Sequence, residues 1–341
     1  MTSTDNADDD CISDWSALEA AVGRRSPAIN HKVIDHLDSL ALEWLRASAL
    51  GFATFATGTE QSLALIDATA VSAAESQIQL PGSAIEQNTP PSDLGSFGSL
   101  WLIPGVRETL RINGRYAREA DGTVIVNVHE CYAHCAKALI RSGFWEAQAN
   151  DNGCSGFDTL LGDARFLVLA TVGGDLNADV SPKGDPAGLL IQRDGDDLLF
   201  AERPGNRRTD SLRNLIERNT LTALLLQPGQ STVGTIRGEV SLSTSQVLRS
   251  RFAVQGKQPS LVARIQNPSV DLYASTLLER ASPWRDAPVS APKHIDPAKV
   301  FATHVQLHKA KGLGAAVGRT LLKIPGLMQR GLDRDYENNL Y

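Results

Sequence analysis

Residues 203–208 read Arg-Pro-Gly-Asn-Arg-Arg, and residues 134–142 read His-Cys-Ala-Lys-Ala-Leu-Ile-Arg-Ser. Guanidinium forks match phosphate oxygens in pairs, glycine lets a backbone approach an anion, and a helix start offers unpaired amides. The first stretch leads into a helix predicted over Thr209 to Arg218, with Thr209 or Asp210 as its N-cap. Ahead of it, Ser181 and Lys183 offer donors at a strand end, and Gly195-Asp196-Asp197 makes a hairpin turn. These groups read as a phosphate monoester site. The competing reading of the turn alone is a solvated Arg-rich loop paired with Glu202 and Asp210.

Two other clusters carry less. His129, Cys131, His134 and Cys135 are of metal-ligand type. On a helix, however, Cys131 and Cys135 lie one turn apart with His134 displaced, nothing completes four ligands, and no metal is expected. The preferred reading is a helix that presents His134, Lys137 and Arg141 to a ligand and Leu139 and Ile140 to the core. His304 and His308, spaced i, i+4 without the Glu of a zinc-protease motif, read as a surface or packed pair.

A repeat supplies the positioning elements. Aligning Phe52 with Phe166 sets FATFATGTEQSLALIDAT on FLVLATVGGDLNADVSPK, with Asp67 over Ser181. LWLIPGVRETLRINGRYA (100–117) matches LLLQPGQSTVGTIRGEVSL (224–242). VHECYAHCAKALIRSGFW (128–145) matches VDLYASTLLERASPW (270–284), with Arg141 and Arg280 each four residues before a Trp. Three blocks in one order predict two copies of one module, each a small antiparallel barrel with appended helices. The expected division is an acidic flexible N-terminus (1–30), a first module (31–150), a second module (151–290) and a basic helical tail (291–341). Residues 31–48 carry Val33, Leu37, Leu40, Ala41, Trp44 and Leu45 at helical spacing. Residues 71–98, rich in Ser, Pro and Gly, read as a loop that has replaced strands.

Composition sets outer bounds. The chain has 341 residues, 42% hydrophobic and 21% charged, with a net charge of −6. That is a globular composition with room for two cores, and its acidity argues against bulk nucleic-acid binding. No run approaches the roughly 18 apolar residues of a spanning helix, so no integral membrane contact is expected. The start, MTSTDNADDD, lacks the features of a secretory signal. Cys11, Cys131, Cys135 and Cys154 form no disulfide framework, so free thiols and a cytoplasmic location are expected. The tail carries Lys309, Lys311, Arg319, Lys323 and Arg330 with no acid before Asp333. It reads first as a segment packed across the barrels or lidding a cleft, and second as an amphipathic helix for a partner or an acidic membrane surface.

The blocks ATVGGDLNADVSPKGDPAG, LLFAERPGNRRTDSLRNLIERN and LLLQPG, with ETLRINGRYA followed by VHECYAHCAKALIRSGFW, resemble the FMN-binding split β-barrels related to pyridoxamine 5'-phosphate oxidase. The resemblance covers roughly residues 50–285. It implies an α+β, mainly antiparallel β architecture, usually dimeric, with FMN in a cleft between two barrels. By resemblance, Ser181, Lys183, Arg203, Asn206, Arg207 and Arg208 form one wall of that cleft, and His134, Lys137, Arg141 and Ser142 the facing wall. The implied activity is hydride transfer between flavin and a small organic substrate, with dioxygen or NAD(P)H as co-substrate. His134 and Tyr132 are the candidates for proton transfer, since imidazole titrates near neutrality.

Two departures from the family pattern shape the expectation. The first module has Asp67-Ala-Thr-Ala where the second has Ser181-Pro-Lys-Gly, and lacks the Arg-rich turn. The second has Ala274-Ser-Thr-Leu-Leu-Glu where the first has His134-Cys-Ala-Lys-Ala-Leu. Each keeps the half that the other lost. The chain is therefore expected to be a covalent pseudo-dimer, monomeric or paired again as a homodimer, with one FMN site. The alternatives are a flavin- or haem-binding, or haem-degrading, split barrel, and a duplication that has lost its ligand.

Overall fold

The run Leu50-Gly-Phe-Ala-Thr-Phe-Ala has no polar face, and every one of these residues is buried. Side chains alternate across a strand, so a continuous apolar run needs a core on each side. Here Ala53 and Phe55 point into one core while Leu50 and Phe52 point into another. The second module repeats this: Leu167 and Leu169 face inward, while Phe166, Val168 and Ala170 join Leu50 and Phe52. One core thus fills each module and a third lies between them, where the Phe52 and Phe166 rings stand 6.2 Å apart.

The computed structural model describes residues 10–24, 27–58, 60–86, 92–148, 156–205, 208–285, 287, 291–308 and 327–341. After a short strand β1 (Cys11–Ile12), the first module holds β2 (Leu50–Thr57), β3 (Glu60–Asp67), β4 (Ser72–Ala74), β5 (Gln77–Leu80), β6 (Ile85–Glu86), β7 (Leu94–Leu102), β8 (Thr109–Arg118) and β9 (Val124–His134). The second holds β10 (Phe166–Val172), β11 (Ala178–Gly184), β12 (Ile191–Asp194), β13 (Asp197–Glu202), β14 (Thr220–Leu226), β15 (Thr232–Ser243) and β16 (Leu261–Ala274). The helices are α1 (Trp15–Val22), α2 (Ser39–Ala47), α3 (Lys137–Ser142), α4 (Phe157–Asp163), α5 (Asp210–Glu217), α6 (Gln246–Ser250), α7 (Thr276–Ala281), α8 (Pro297–Leu307) and α9 (Leu327–Asn338).

The sheets run β3-β2-β7-β8-β9-β5-β4 and β11-β10-β14-β15-β16-β13-β12, with β6 on β3 and β1 on β15. Strand for strand this is one order used twice, and the pairings are antiparallel. Even the irregularity repeats: the β8–β9 ladder slips beside Gly114 and the β15–β16 ladder at Gly238. The fold is therefore mainly antiparallel β, two tandem split barrels set against each other with flanking helices.

The ladders correct several expectations. Residues 71–98 are not a loop: they contain β4, β5, β6 and the start of β7, because Ile78 and Leu80 alternate into the first core. The helix expected over 31–48 shrinks to Ser39–Ala47, with Asp38 accepting from Ala41 as N-cap. Within the expected N-terminal segment, β1 pairs with β15 and Leu18 of α1 is fully buried. Residues 129–134 are strand, not helix. The Phe52–Phe166 alignment is off by two. Phe52 pairs with Leu100, and Val168 with Leu224, in ladders that share the Pro-Gly turn, so Val168 is the true counterpart. Likewise Leu65 pairs with Phe52 and Pro182 with Val168. Ser181 and Lys183 therefore answer to Ala64 and Ile66, and Asp67 answers to Gly184.

Candidate functional site

Strand β11 delivers the first side chains. Ser181 and Lys183 are two apart and share a face. Gly184, at the strand end, faces α3 of the other module. A Cβ there would stand 1.9 Å from the Ala138 carbonyl oxygen, so only glycine lets the helix lie this close. Helix α3 ends on Gly143, whose φ of 52° closes the turn into Phe144 and Trp145 of the central core. Its Lys137 and Arg141 are thereby held against β11.

These elements line a cleft of about 60 Å³ with His134, Cys135, Lys137 and Arg141 on one side. Ser181, Lys183, Asp185, Glu202, Arg203, Gly205 and Arg208 line the other. Asn206 and Arg207 lie outside the described residues. The lining has five cationic side chains against two carboxylates. Lys183 is paired with Glu202, and Arg203 with Asp185 at 2.8 Å, both members buried. Burial raises the Asp185 carboxyl above the ordinary range, against the pull of Arg203. Arg141 donates to the Pro204 carbonyl across the module boundary. The Nη2 of Arg203 and the Nδ1 of His134 are buried without a hydrogen-bond partner among the described residues.

Beneath the cleft a charged network ties the modules together. Arg111 of β8 bonds Asp179 of β11 at 2.9 Å and the Tyr132 hydroxyl at 3.0 Å, and Ser211 donates to the other Asp179 oxygen at 2.7 Å. Removing one partner of such a buried pair typically costs about 3–5 kcal/mol. The Arg208 guanidinium lies 4.0 Å from the Tyr132 ring centroid. Tyr132 thus orients two arginines.

Three expected roles change. The Tyr132 side chain is fully buried, and burial pushes its phenol up despite Arg111 and Arg208. His134 lines the cleft, but burial beside Arg111, Lys32 and Arg208 holds its imidazole well below the ordinary range. It is neutral at physiological pH and adds no charge. Ser142 turns back to the Leu139 carbonyl at 3.0 Å and does not line the cleft. His304 and His308 are packed, not surface: His304 is buried against Asp38, and His308 meets the Val33 carbonyl at 2.6 Å. Among the described residues no three His, Cys, Asp or Glu side chains are grouped as metal ligands.

A second cleft, about 650 Å³, meets the first at Arg208. It is lined by Asn113, His129 and Glu130 from one module and Asp175, Asp210 and Arg213 from the other, with Trp15 of α1 at its edge. The sequence reading missed it. Its signal was the Asn113-Gly114 bend, because the slip there leaves His129 unmatched in the ladder. Lys32 was missed as well: its ammonium donates to the Ala133 carbonyl at 2.7 Å, and burial lowers its pKa to about 7.

The pseudo-equivalent corner is closed by the protein itself. Arg280, the counterpart of Arg141, bonds Asp67, the counterpart of Gly184. Glu86 accepts from the Ser275 and Thr276 hydroxyls and from the Leu277 amide at the start of α7.

No family model matches the chain, and no curated protein matches it. Among solved structures, it is similar to an F420 reductase, 17% identical over 35% of this chain and 97% of that one, with a TM-score of 0.27. It is also similar to General Stress Protein 26 from Bacillus anthracis, 17% identical over 34% and 88%, TM-score 0.27. HutZ, a heme storage protein from Vibrio cholerae, is 11% identical over 34% and 90%, TM-score 0.25.

Proposed function

We propose that this chain is a cytoplasmic FMN-dependent oxidoreductase with one composite cofactor site, built by a tandem duplication of the split barrel. The observation that carries the reading is the convergence of Lys137 and Arg141 from one module with Lys183, Arg203 and Arg208 from the other on a single cleft. Five cationic side chains on one cleft, Arg208 among them also paired with Asp210 and Glu130, suit a phosphate monoester, which carries about 1.5 to 2 negative charges at neutral pH. The unpartnered Nη2 of Arg203 is a donor ready for such an oxygen. Ser181, Lys183, Lys137, Arg141, Arg203 and Arg208 would hold the phosphate, with Asn206 and Arg207 from the same turn. FMN supplies electron transfer when bound, and the chain supplies binding, orientation and charge around the ring. The larger cleft adjoining at Arg208 offers room for a small organic substrate or NAD(P)H.

A haem reading draws on one observation, the unpartnered Nδ1 of a neutral His134. Five cations on a phosphate-sized cleft favour flavin over it. Absorption spectra of the purified chain titrated with FMN and with haem separate the two. The flavin reading expects shifted flavin bands that bleach when NAD(P)H or substrate is added without oxygen. A Soret band with no flavin binding would replace it by the haem reading.

A further inference from the structure

The cationic cleft is already engaged by residues 335–341 of the same chain. Asp335 of α9 places a carboxylate oxygen 2.8 Å from the Lys137 ammonium. The Leu340 carbonyl accepts from Arg141 Nε at 2.6 Å. The Tyr341 ring covers the guanidiniums of Arg141 at 5.6 Å and Arg203 at 5.5 Å. Tyr336 anchors the segment, accepting from the Ala136 amide at the start of α3 and donating to Glu108. Carboxylate, carbonyl and aromatic face are the three kinds of group that satisfy a cation, and the tail brings one of each to the cleft.

We infer that residues 335–341 are an internal competitor for the phosphate site, an autoinhibitory plug that must leave Lys137, Arg141 and Arg203 before a phosphate-bearing ligand can use them. The inference rests on the flavin reading of the same cleft. Lys137 and Arg141 cannot give one set of donors to the tail and to a phosphate together, so each occupant lowers the affinity of the other. The contacts come from a helix end that is half exposed at Asp335, which suits reversible release.

The test uses the full chain. FMN affinity is measured by flavin fluorescence in wild type, in Asp335→Asn combined with Tyr341→Ala, and in Arg330→Ala, an exposed position of the same helix. Hydrogen exchange of residues 335–341 is followed with and without FMN. The plug predicts binding about tenfold tighter in the double variant, as expected when a closed state holding about 90% of the molecules is removed. It also predicts no change in Arg330→Ala, and faster exchange of the tail once FMN is bound. Equal or weaker binding in the double variant, with slower tail exchange in the complex, would overturn the plug and make the tail a clamp while leaving the flavin reading intact. No FMN binding by any of the three would remove the flavin reading and the competition with it.

Discussion

Lys32 illustrates how a residue can matter without announcing itself in the sequence. Its ammonium is buried between the Tyr132 and Phe301 rings, near Arg208 and Arg111, and burial lowers its pKa to about 7. In the unfolded chain it keeps an ordinary value, so between pH about 7 and about 10 the unfolded state binds more protons than the folded one. Stability from this group therefore rises with pH across that window and is flat below it. Lys32→Met should gain on wild type more at pH about 7 than at pH about 9.5 in urea unfolding. An equal difference at both pH values would mean that the amine is not titrating as described. The site cations were legible because their chemistry is carried by residue type. The states of His134 and Tyr132 were not, because they depend on burial beside Arg111, which is distant in sequence.

At the scale of elements, the decisive contact is α3 of one module lying on β11 of the other. The helix is short, six residues, and is held by Leu139 below and by Gly143 at its end. Gly184 permits the approach. Gly184→Ala should push α3 off the strand, costing about 1–3 kcal/mol on denaturant unfolding and displacing Lys137 and Arg141 from the cleft. Unchanged stability and unchanged FMN affinity would show that this packing does not set the site. The strand-turn-strand blocks were readable because apolar runs and Pro-Gly turns are local signals. Strands β4, β5 and β6 were not, since three short pieces among Ser, Pro and Gly carry too little pattern. Their strand character comes from pairing, as Ile78 with Val126 and Ile85 with Ile66 show. The two-residue slip at Phe52 has the same origin: period-2 alternation fixes the face of a strand but not its register.

The whole molecule follows from one sheet order used twice and a third core between the copies. Joining two barrels in one chain fixes their association at a high effective concentration and releases the two facing corners from identical sequence. One corner gathers cations from both modules. The other is closed by Asp67 on Arg280 and by Glu86 on the start of α7. That asymmetry follows the sequence pattern in which each module keeps what the other lost, although Glu86, one of the groups that close the second corner, lay in the stretch misread as a loop. It also makes the central claim countable. Calorimetric titration of the apo chain with FMN should give one flavin per chain, and the heat should vanish in both Arg141→Ala and Lys183→Ala, which alter opposite walls of one cleft. Two flavins per chain, or full binding retained in Arg141→Ala, would contradict a single site shared between the modules.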